Sequence, residues 1–426
     1  MIKDISRETM EEKEMTGEPA KKPGRAPLLL IFFTVFIDLV GFGVIIPVMP
    51  TYAQQLKADG FTVGLLIASY SLMQFLLMPF WGRLSDHVGR RPILLMSLFT
   101  SAVGYLVWGF SNSLAALFAS RLIAGAGNAN ISVAQAYVAD VTTPENRAKG
   151  MGVIGAAFGL GFVLGPALGG LFLGSSGQTC LDNVLRWDQF NGHLNGLQLV
   201  GFVAAFMSIL DLILTYFLLP EPEKRSKAGT ERFSLNPSFY TETLKDPTIR
   251  TSLLIFFVST FAFANMEATL VLLTQKQYGL SPHQNSLMFA YIGLLIVFIQ
   301  GGMIHRLSKK YGEKKLIGIG TLLVAAGLIL TPLTSDLRML YFALALLAFG
   351  SGINTPSNQS MVSKLAPADK VGGVLGVGQS LSTLGRILGP AVGGAAFQYL
   401  GAASPYGIGA VAMVVAFILS LRLPKT

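Results

Sequence analysis

Twelve apolar stretches, each nineteen residues or longer, divide this 426-residue chain, at about 27–52, 62–81, 93–111, 115–138, 150–173, 197–220, 251–275, 285–304, 316–334, 338–362, 372–397 and 404–422. A helix rises about 1.5 Å per residue, so roughly twenty residues cross the ~30 Å hydrocarbon core of a bilayer. Inside lipid every backbone N–H and C=O must find a partner within the protein, which leaves helices and closed barrels as spanning structures. Runs this continuous do not alternate as barrel strands do. The sequence therefore predicts an all-α polytopic membrane protein, with the twelve stretches as spans 1 to 12. Composition agrees: 13% of the residues are charged, against about 25% in soluble domains.

The basic residues set the expected topology. With the N-terminus inside, 26 of the 32 Lys and Arg fall on the inner side. Lys57, Arg186, Lys276 and Arg338 fall outside, and Arg121 and Arg386 lie within spans. Both termini are thus expected in the cytosol. The net charge of +9 then follows from topology, and nucleic acid is not an expected partner. Residues 1–26 are polar and lack the apolar core and cleavage site of a signal peptide, so they read as a cytosolic tail. Cys180 is the single cysteine, and His87, His193, His283 and His305 are scattered, so neither a disulfide framework nor a metal site is expected. No phosphate-binding loop and no nucleophile with its base occur within the spans, so neither an ATP-driven pump nor an enzyme is expected. The sequons at Asn130 and Asn358 lie inside spans and are discounted.

A repeat runs through the chain. Gly82–Pro92, between spans 2 and 3, is echoed 223 residues later by His305–Lys315. Gly125-Ala126-Gly127 is echoed at 225 by Gly350-Ser351-Gly352, and Gly165-Pro166-Ala167-Leu168-Gly169-Gly170 at 224 by Gly389-Pro390-Ala391-Val392-Gly393-Gly394. The expected organisation is a tail (1–26), a six-helix bundle (27–220), a cytosolic linker (221–250) and a second six-helix bundle (251–426). Parallel halves of this kind hold a substrate near the midplane between them and expose it to alternate sides by rocking.

At these residues the chain resembles the major facilitator superfamily, and within it drug:proton antiporters of the tetracycline-efflux type. Gly82, Asp86, Gly89, Arg90 and Arg91 match the loop signature between spans 2 and 3. Asp38, Gly41, Pro47 and Pro50 match the span 1 pattern, and Arg121, Gly125 and Gly127 that of span 4. Gly161, Gly165, Pro166, Gly169 and Gly170 match the span 5 antiporter signature. The resemblance implies export of a small amphipathic organic compound or drug, exchanged for protons, without cofactors. A monomer is expected, and the short linker and the lack of an accessible sequon favour a bacterial inner membrane over a eukaryotic one. Departures accompany it: Gly104 stands where tetracycline exporters carry an aspartate in span 3, and 316–334 lacks the acid of their span 9. A substrate chemistry different from tetracycline is expected.

Ionisable groups at membrane depth cost about 2.5–3.5 kcal/mol each on insertion scales and mark a pathway or a pair. Asp38 and Arg121 lie at mid-depth in spans 1 and 4, as a proton site with its regulator or as a fixed ion pair. Glu267 and Arg386 share a level in spans 7 and 11, as a proton site with its partner, as a fixed pair, or with Glu267 at the headgroups. Asp211, in span 6, is the weakest candidate. The resemblance makes Asn128, Asn130, Gln135, Asn265, Asn354, Asn358 and Gln359 candidate substrate contacts, although in membranes such amides also bond helix to helix. Asp86 is expected to accept from the free N–H groups opening span 11 near Val371–Gly373, and to pair with Arg90 or Arg147, closing the cytosolic side. Lys309 replaces it in the second half, so the latch is one-sided. Gly155, Gly159, Gly161, Gly165 and Gly169 read as close helix packing, with Pro166 breaking one backbone hydrogen bond. The alternative function is a uniporter or symporter of an organic anion or sugar, with Arg121 or Arg386 as anion ligand.

Overall fold

The computed structural model describes residues 25–142, 147–173, 196–222, 241–367 and 370–424. All twelve expected spans are helical. Span 1 is Arg25–Ile45, continued after a turn by the short helix Met49–Gln55; spans 2 and 3 are Gly60–Val88 and Arg90–Gly109. Span 4 is broken, Leu114–Gly127 and Ile131–Val141 flanking a 3-10 turn at Asn128–Asn130; spans 5 and 6 are Arg147–Phe172 and Gly196–Leu218. Spans 7 to 9 are Pro247–Tyr278, Pro282–Phe298 continued through a π turn to Tyr311, and Glu313–Leu330. Spans 10 to 12 are Leu337–Leu365, Val371–Tyr399 and Ser404–Ser420.

Among the described residues nine of these helices are long and apolar enough to cross a membrane by themselves. The three that are not have visible reasons: span 4 is interrupted, span 11 is rich in Gly and Ser around Arg386, and span 12 has 17 residues. Helix starts follow local chemistry. Asp59, Ser113, Asp246, Ser281 and Asp336 cap spans 2, 4, 7, 8 and 10 by accepting first-turn N–H groups. Span 7 starts at Pro247, inside the stretch expected to be linker, because Asp246 accepts from Thr248 and Ile249 at 2.7 and 3.1 Å and Pro suits the first helical position. The rest of the expected linker, 223–240, lies outside the described residues.

The helices pack by the same rule in both halves. Span 1 lies on span 5 as span 7 lies on span 11; span 3 lies on spans 4 and 6 as span 9 lies on spans 10 and 12. The sequence repeat is therefore a structural repeat of two six-helix bundles. Across the seam, span 2 packs on span 11 and span 5 on span 8. Close approach depends on glycine. A Cβ on Gly165 would lie 2.7 Å from Gly43 Cα in span 1, and one on Gly64 would run into the Pro390 carbonyl in span 11. Gly165 and Gly169 thus serve packing against Gly43 and Val44, within the first half.

The seam is asymmetric along the membrane normal. At the end away from the basic loops it is closed by Gly60 N–H donating to Gln398 Oε1 (3.0 Å), Gln275 Nε2 to Thr51 Oγ1 (2.5 Å), and His283 Nδ1 to the Gly170 carbonyl (2.6 Å). Toward the basic end, Cβ positions at Gly155, Gly301, Gly302 and Gly372 would meet nothing within 4 Å. The halves are therefore fastened at the end away from the basic loops. Span 8 carries its π turn, Ile299–Met303, toward the basic end.

Candidate functional site

Between the halves lies a cavity walled by Phe42 of span 1, Tyr70 of span 2, Arg121 of span 4, Glu267 of span 7 and Arg386 of span 11, with Met49 and Ile67 among its apolar lining. Aromatic and apolar surface with a few converging charges is the usual make-up of a small-molecule site. A wider hollow lined by His305, Lys309, Lys310, Glu313 and Lys364 is open to solvent on the basic face, away from this seam.

Glu267 and Arg386 do share a level, as expected, but they do not form an ion pair. The Arg386 guanidinium instead lies over the rings of Phe42 and Phe162, at 5.8 and 5.5 Å, and so bridges from span 11 onto the first half. Glu267 is half-buried on the cavity wall, which removes the headgroup alternative.

Asp38 and Arg121 do not pair either. Arg121 is fully buried and sits in an aromatic cage, 4.9 Å from the Trp108 ring centre, 5.7 Å from Tyr70 and 5.8 Å from Tyr105. None of its three nitrogens has a hydrogen-bond acceptor among the described residues. Ring faces attract a guanidinium by about 0.5–2 kcal/mol each, which leaves its N–H groups aimed but unsatisfied. The fixed ion pair is therefore not the arrangement here.

Asp38 has a different set of partners. The break in span 4 turns Asn128 and Asn130 toward it: Asn130 Nδ2 donates to Asp38 Oδ2 at 3.2 Å, and one end of the Asn128 amide lies 2.7 Å from the same oxygen. Backbone carbonyls beside the break are taken up by span 2, since Gln74 Nε2 donates to Asn128 O (3.0 Å) and Trp81 Nε1 to Ala126 O (2.7 Å). Freed backbone groups at membrane depth require such partners. One turn along span 1, Thr34 Oγ1 lies 3.1 Å from Thr215 Oγ1, which donates to Asp211 Oδ1 at 3.3 Å. Asp211 thus faces span 1 inside the first half, and the cavity wall does not include it.

The other candidate amides divide. Asn265 donates to Pro405 O (3.2 Å), Asn354 to Ser259 Oγ (2.8 Å), and Asn358 exchanges bonds with Ser252. All three tie helices together within the second half. Gln135 is half-buried in span 4, and Gln359 is exposed on span 10.

The signature loop is built as a network within one half. Asp86 pairs with Arg90 at 2.7 Å, and Arg90 Nε reaches Asp140 Oδ2 at 2.8 Å. Gly89 takes φ +118°, and Glu221 accepts from the N–H groups of Arg90 and Arg91 at 2.7 and 2.8 Å, capping span 3. Gly82 lies against Ser132 of span 4. The expected bond from the opening of span 11 to Asp86 is not made among the described residues; Asp86 pairs with Arg90 of its own half and is 56% exposed. The Arg147 side chain lies outside the described residues.

Sequence reasoning passed over the cage residues Tyr70, Tyr105 and Trp108, as aromatics are unremarkable in a membrane chain. It also passed over Glu313 and Lys364, which pair at 2.5 Å. The repeat offset would have found these, since 313 and 364 stand 223 and 224 residues after Arg90 and Asp140. Gly104 has a packing reason: a Cβ there would lie 2.6–2.9 Å from Ala124 in span 4. An aspartate has no room at this position.

The Major Facilitator Superfamily family model matches residues 31–306 and 254–426. The tetracycline resistance protein, class C, of Escherichia coli is 32% identical over 369 residues, covering 86% of this chain and 88% of that protein. Major facilitator superfamily domain-containing protein 10 of Mus musculus is 28% identical over 454 residues, covering 95% and 94%. The crystal structure of the human organic anion transporter MFSD10 (TETRAN) has a TM-score of 0.67 at 27% identity, covering 94% of this chain and 100% of that one. With the repeat, the twelve helices and the seam cavity, these likenesses make the chain a multi-pass membrane transporter, not an enzyme, that belongs to the major facilitator superfamily.

Proposed function

We infer that this transporter exports a small amphipathic organic compound in exchange for protons by alternating access. The observation that carries this reading is the seam cavity, where Glu267 stands among aromatic and apolar surface with two guanidiniums. A carboxyl group in such surroundings can bind a proton or release it as substrate charge arrives and leaves. Asp38, buried between two asparagines without a cation partner, is the second proton site. The gradient supplies the energy: about 2.3 kcal/mol per charge per 100 mV. No cofactor is called on. The Lys and Arg distribution supports cytosolic termini, which makes the basic side cytosolic. A bacterial inner membrane and a monomeric state complete this reading.

A second reading is favoured by Arg121, whose three nitrogens are unpartnered beside the cavity, and by the human relative described as an organic anion transporter. On it, the substrate is an amphipathic organic anion held by Arg121 or Arg386, moved by uniport or symport.

Substrate-triggered proton flux in proteoliposomes, across cationic, neutral and anionic compounds, separates the two. Proton movement opposite to one compound class, lost in Asp38→Asn or Glu267→Gln, is the expected result. Unchanged flux in both variants would remove the proton-site assignment, and anion movement without proton counterflow would establish the second reading.

A further inference from the structure

Asn128 occupies the break in span 4 and is 1% exposed. The two ends of its side-chain amide face different neighbours. The near end lies 2.7 and 3.2 Å from the Asp38 carboxyl oxygens and 3.3 Å from Tyr70 Oη. The far end lies 3.2 Å from Ser101 Oγ and 3.3 Å from Tyr105 Oη. An amide's oxygen only accepts and its NH2 only donates, yet the two are nearly the same size, so a half-turn exchanges them without repacking the site.

We propose that Asn128 reverses its side-chain amide when Asp38 gains or loses a proton, and so transmits the state of span 1 to the tyrosines around the central cavity. The inference rests on the reading of Asp38 as a proton site and names the residue through which that site acts.

Each orientation has its own partners. With Asp38 ionised, nitrogen stands at the near end, giving one hydrogen to Asp38 and the other to Tyr70 Oη, and the oxygen at the far end accepts from Ser101. With Asp38 neutral, oxygen stands at the near end and accepts from the Asp38 O–H, and the nitrogen at the far end donates to Ser101 and Tyr105. Asn130 donates to Asp38 in either state. A buried polar group left unpaired costs about 1–3 kcal/mol, so each protonation state selects its own amide orientation.

The consequence reaches the cavity. Tyr70 is part of its wall and lies beside Arg121. With Asp38 ionised, the Tyr70 hydroxyl accepts from Asn128 and keeps its own hydrogen for an acceptor on a bound molecule. With Asp38 protonated, Asn128 releases Tyr70 and donates to Tyr105 instead. Substrate held in the deprotonated state and loosened in the protonated one is the sense that exchange requires. The titratable groups around Asp38 are Tyr70 on span 2, Tyr105 on span 3, Arg121 on span 4 and Asp211 on span 6. Span 5 faces it with Gly161 against Leu39. Asn128 is a positioning residue in this scheme, since it acts through the tyrosines.

The test needs no ligand: infrared difference spectra of the full-length protein in liposomes, taken across a pH titration with isotope-labelled tyrosine. The wild type should show a neutral carboxyl band that is lost in Asp38→Asn, and tyrosine ring signals that change in the same transition. Asn128→Leu should keep the carboxyl band and lose the tyrosine signals, while Tyr70→Phe and Tyr105→Phe should each remove one of them. Tyrosine signals that persist in Asn128→Leu alongside the carboxyl band would overturn the proposal. Carboxyl bands of undiminished amplitude in Asp38→Asn, owed wholly to other acids such as Glu267, would instead overturn the reading of Asp38, and the inference with it. Should the leucine variant not fold, Asn128→Ala carries the same two outcomes.

Discussion

The two halves fasten their basic ends with the same pair of positions and opposite charges. In the first, Arg90 at the start of span 3 reaches Asp140 near the end of span 4 at 2.8 Å. In the second, Glu313 at the start of span 9 meets Lys364 near the end of span 10 at 2.5 Å. A charged link joins these helices in both halves, with opposite polarity. The surroundings then decide how much each link matters. Arg90 has a second carboxylate, Asp86, whereas the corresponding position of the repeat is a base, Lys309. Glu313 is held instead by Ser308 at 3.2 Å and Ser360 at 3.0 Å, and its side chain is 4% exposed. The second link centres on a buried anion and the first on carboxylates that are partly exposed, so the second is the more sensitive to loss of its cation.

The halves pack their third helices alike, Gly104 against Ala124 in the first and Gly327 against Ala343 and Leu347 in the second, and this close approach sets the largest expected effect. Gly104→Asp, which would give span 3 the acid of the tetracycline pattern, places a side chain where span 4 already stands, at a cost above about 3 kcal/mol. Little folded protein should be recovered in detergent. A well-folded Gly104→Asp protein would mean that spans 3 and 4 are far looser than their counterparts in the second half.

Next in size is Lys364→Ala, which takes the Lys364 ammonium away from the buried Glu313 carboxylate. Breaking a fully buried pair costs about 3–5 kcal/mol, and solvent around the half-exposed lysine reduces this to about 1–3 kcal/mol. A fall in thermal unfolding midpoint, clearly larger than for Asp140→Ala, is the expected result. Exchanging the pair to copy the first half, Glu313→Arg with Lys364→Asp, should recover most of the loss. A double variant no more stable than the worse single one would show that polarity, and not only pairing, is fixed at this site. Asp140→Ala should have the smallest effect, below about 1 kcal/mol, because Arg90 keeps Asp86 in a solvent-exposed setting. Equal losses for Asp140→Ala and Lys364→Ala would erase the distinction between the halves.

Much of this was legible in the chain. Spans 1 to 12 followed from apolar length, and the repeat followed from three echoes near an offset of 224. The same offset connects Arg90 with Glu313 and Asp140 with Lys364, although exchanged charges hide the correspondence when residues are matched by type. The pairing of buried ions was less legible. Asp38 with Arg121 and Glu267 with Arg386 are natural partners by charge and depth, yet Arg121 turned into an aromatic cage and Arg386 onto Phe42 and Phe162. Depth along a span fixes the level of a side chain but not its direction around the helix. The break at Asn128–Asn130 was likewise missed, although Gly127 stands directly before it and two asparagines form it, because the 115–138 stretch is long enough to read as one unbroken span.

The sequence by itself determined the class, the number of spans, the expected sidedness and the two-fold repeat. Those depend on the transfer of apolar groups and charges between water and lipid, a property each segment carries alone. Only the tertiary structure decided which end of the seam is closed, which acid stands in the cavity, and which amides bind helices together. Those outcomes depend on how helices rotate and approach one another, and here that was set by glycines such as Gly64, Gly165 and Gly104 meeting backbone from another span. A contact between distant segments has no energy until both are in place, so no single segment could have announced it.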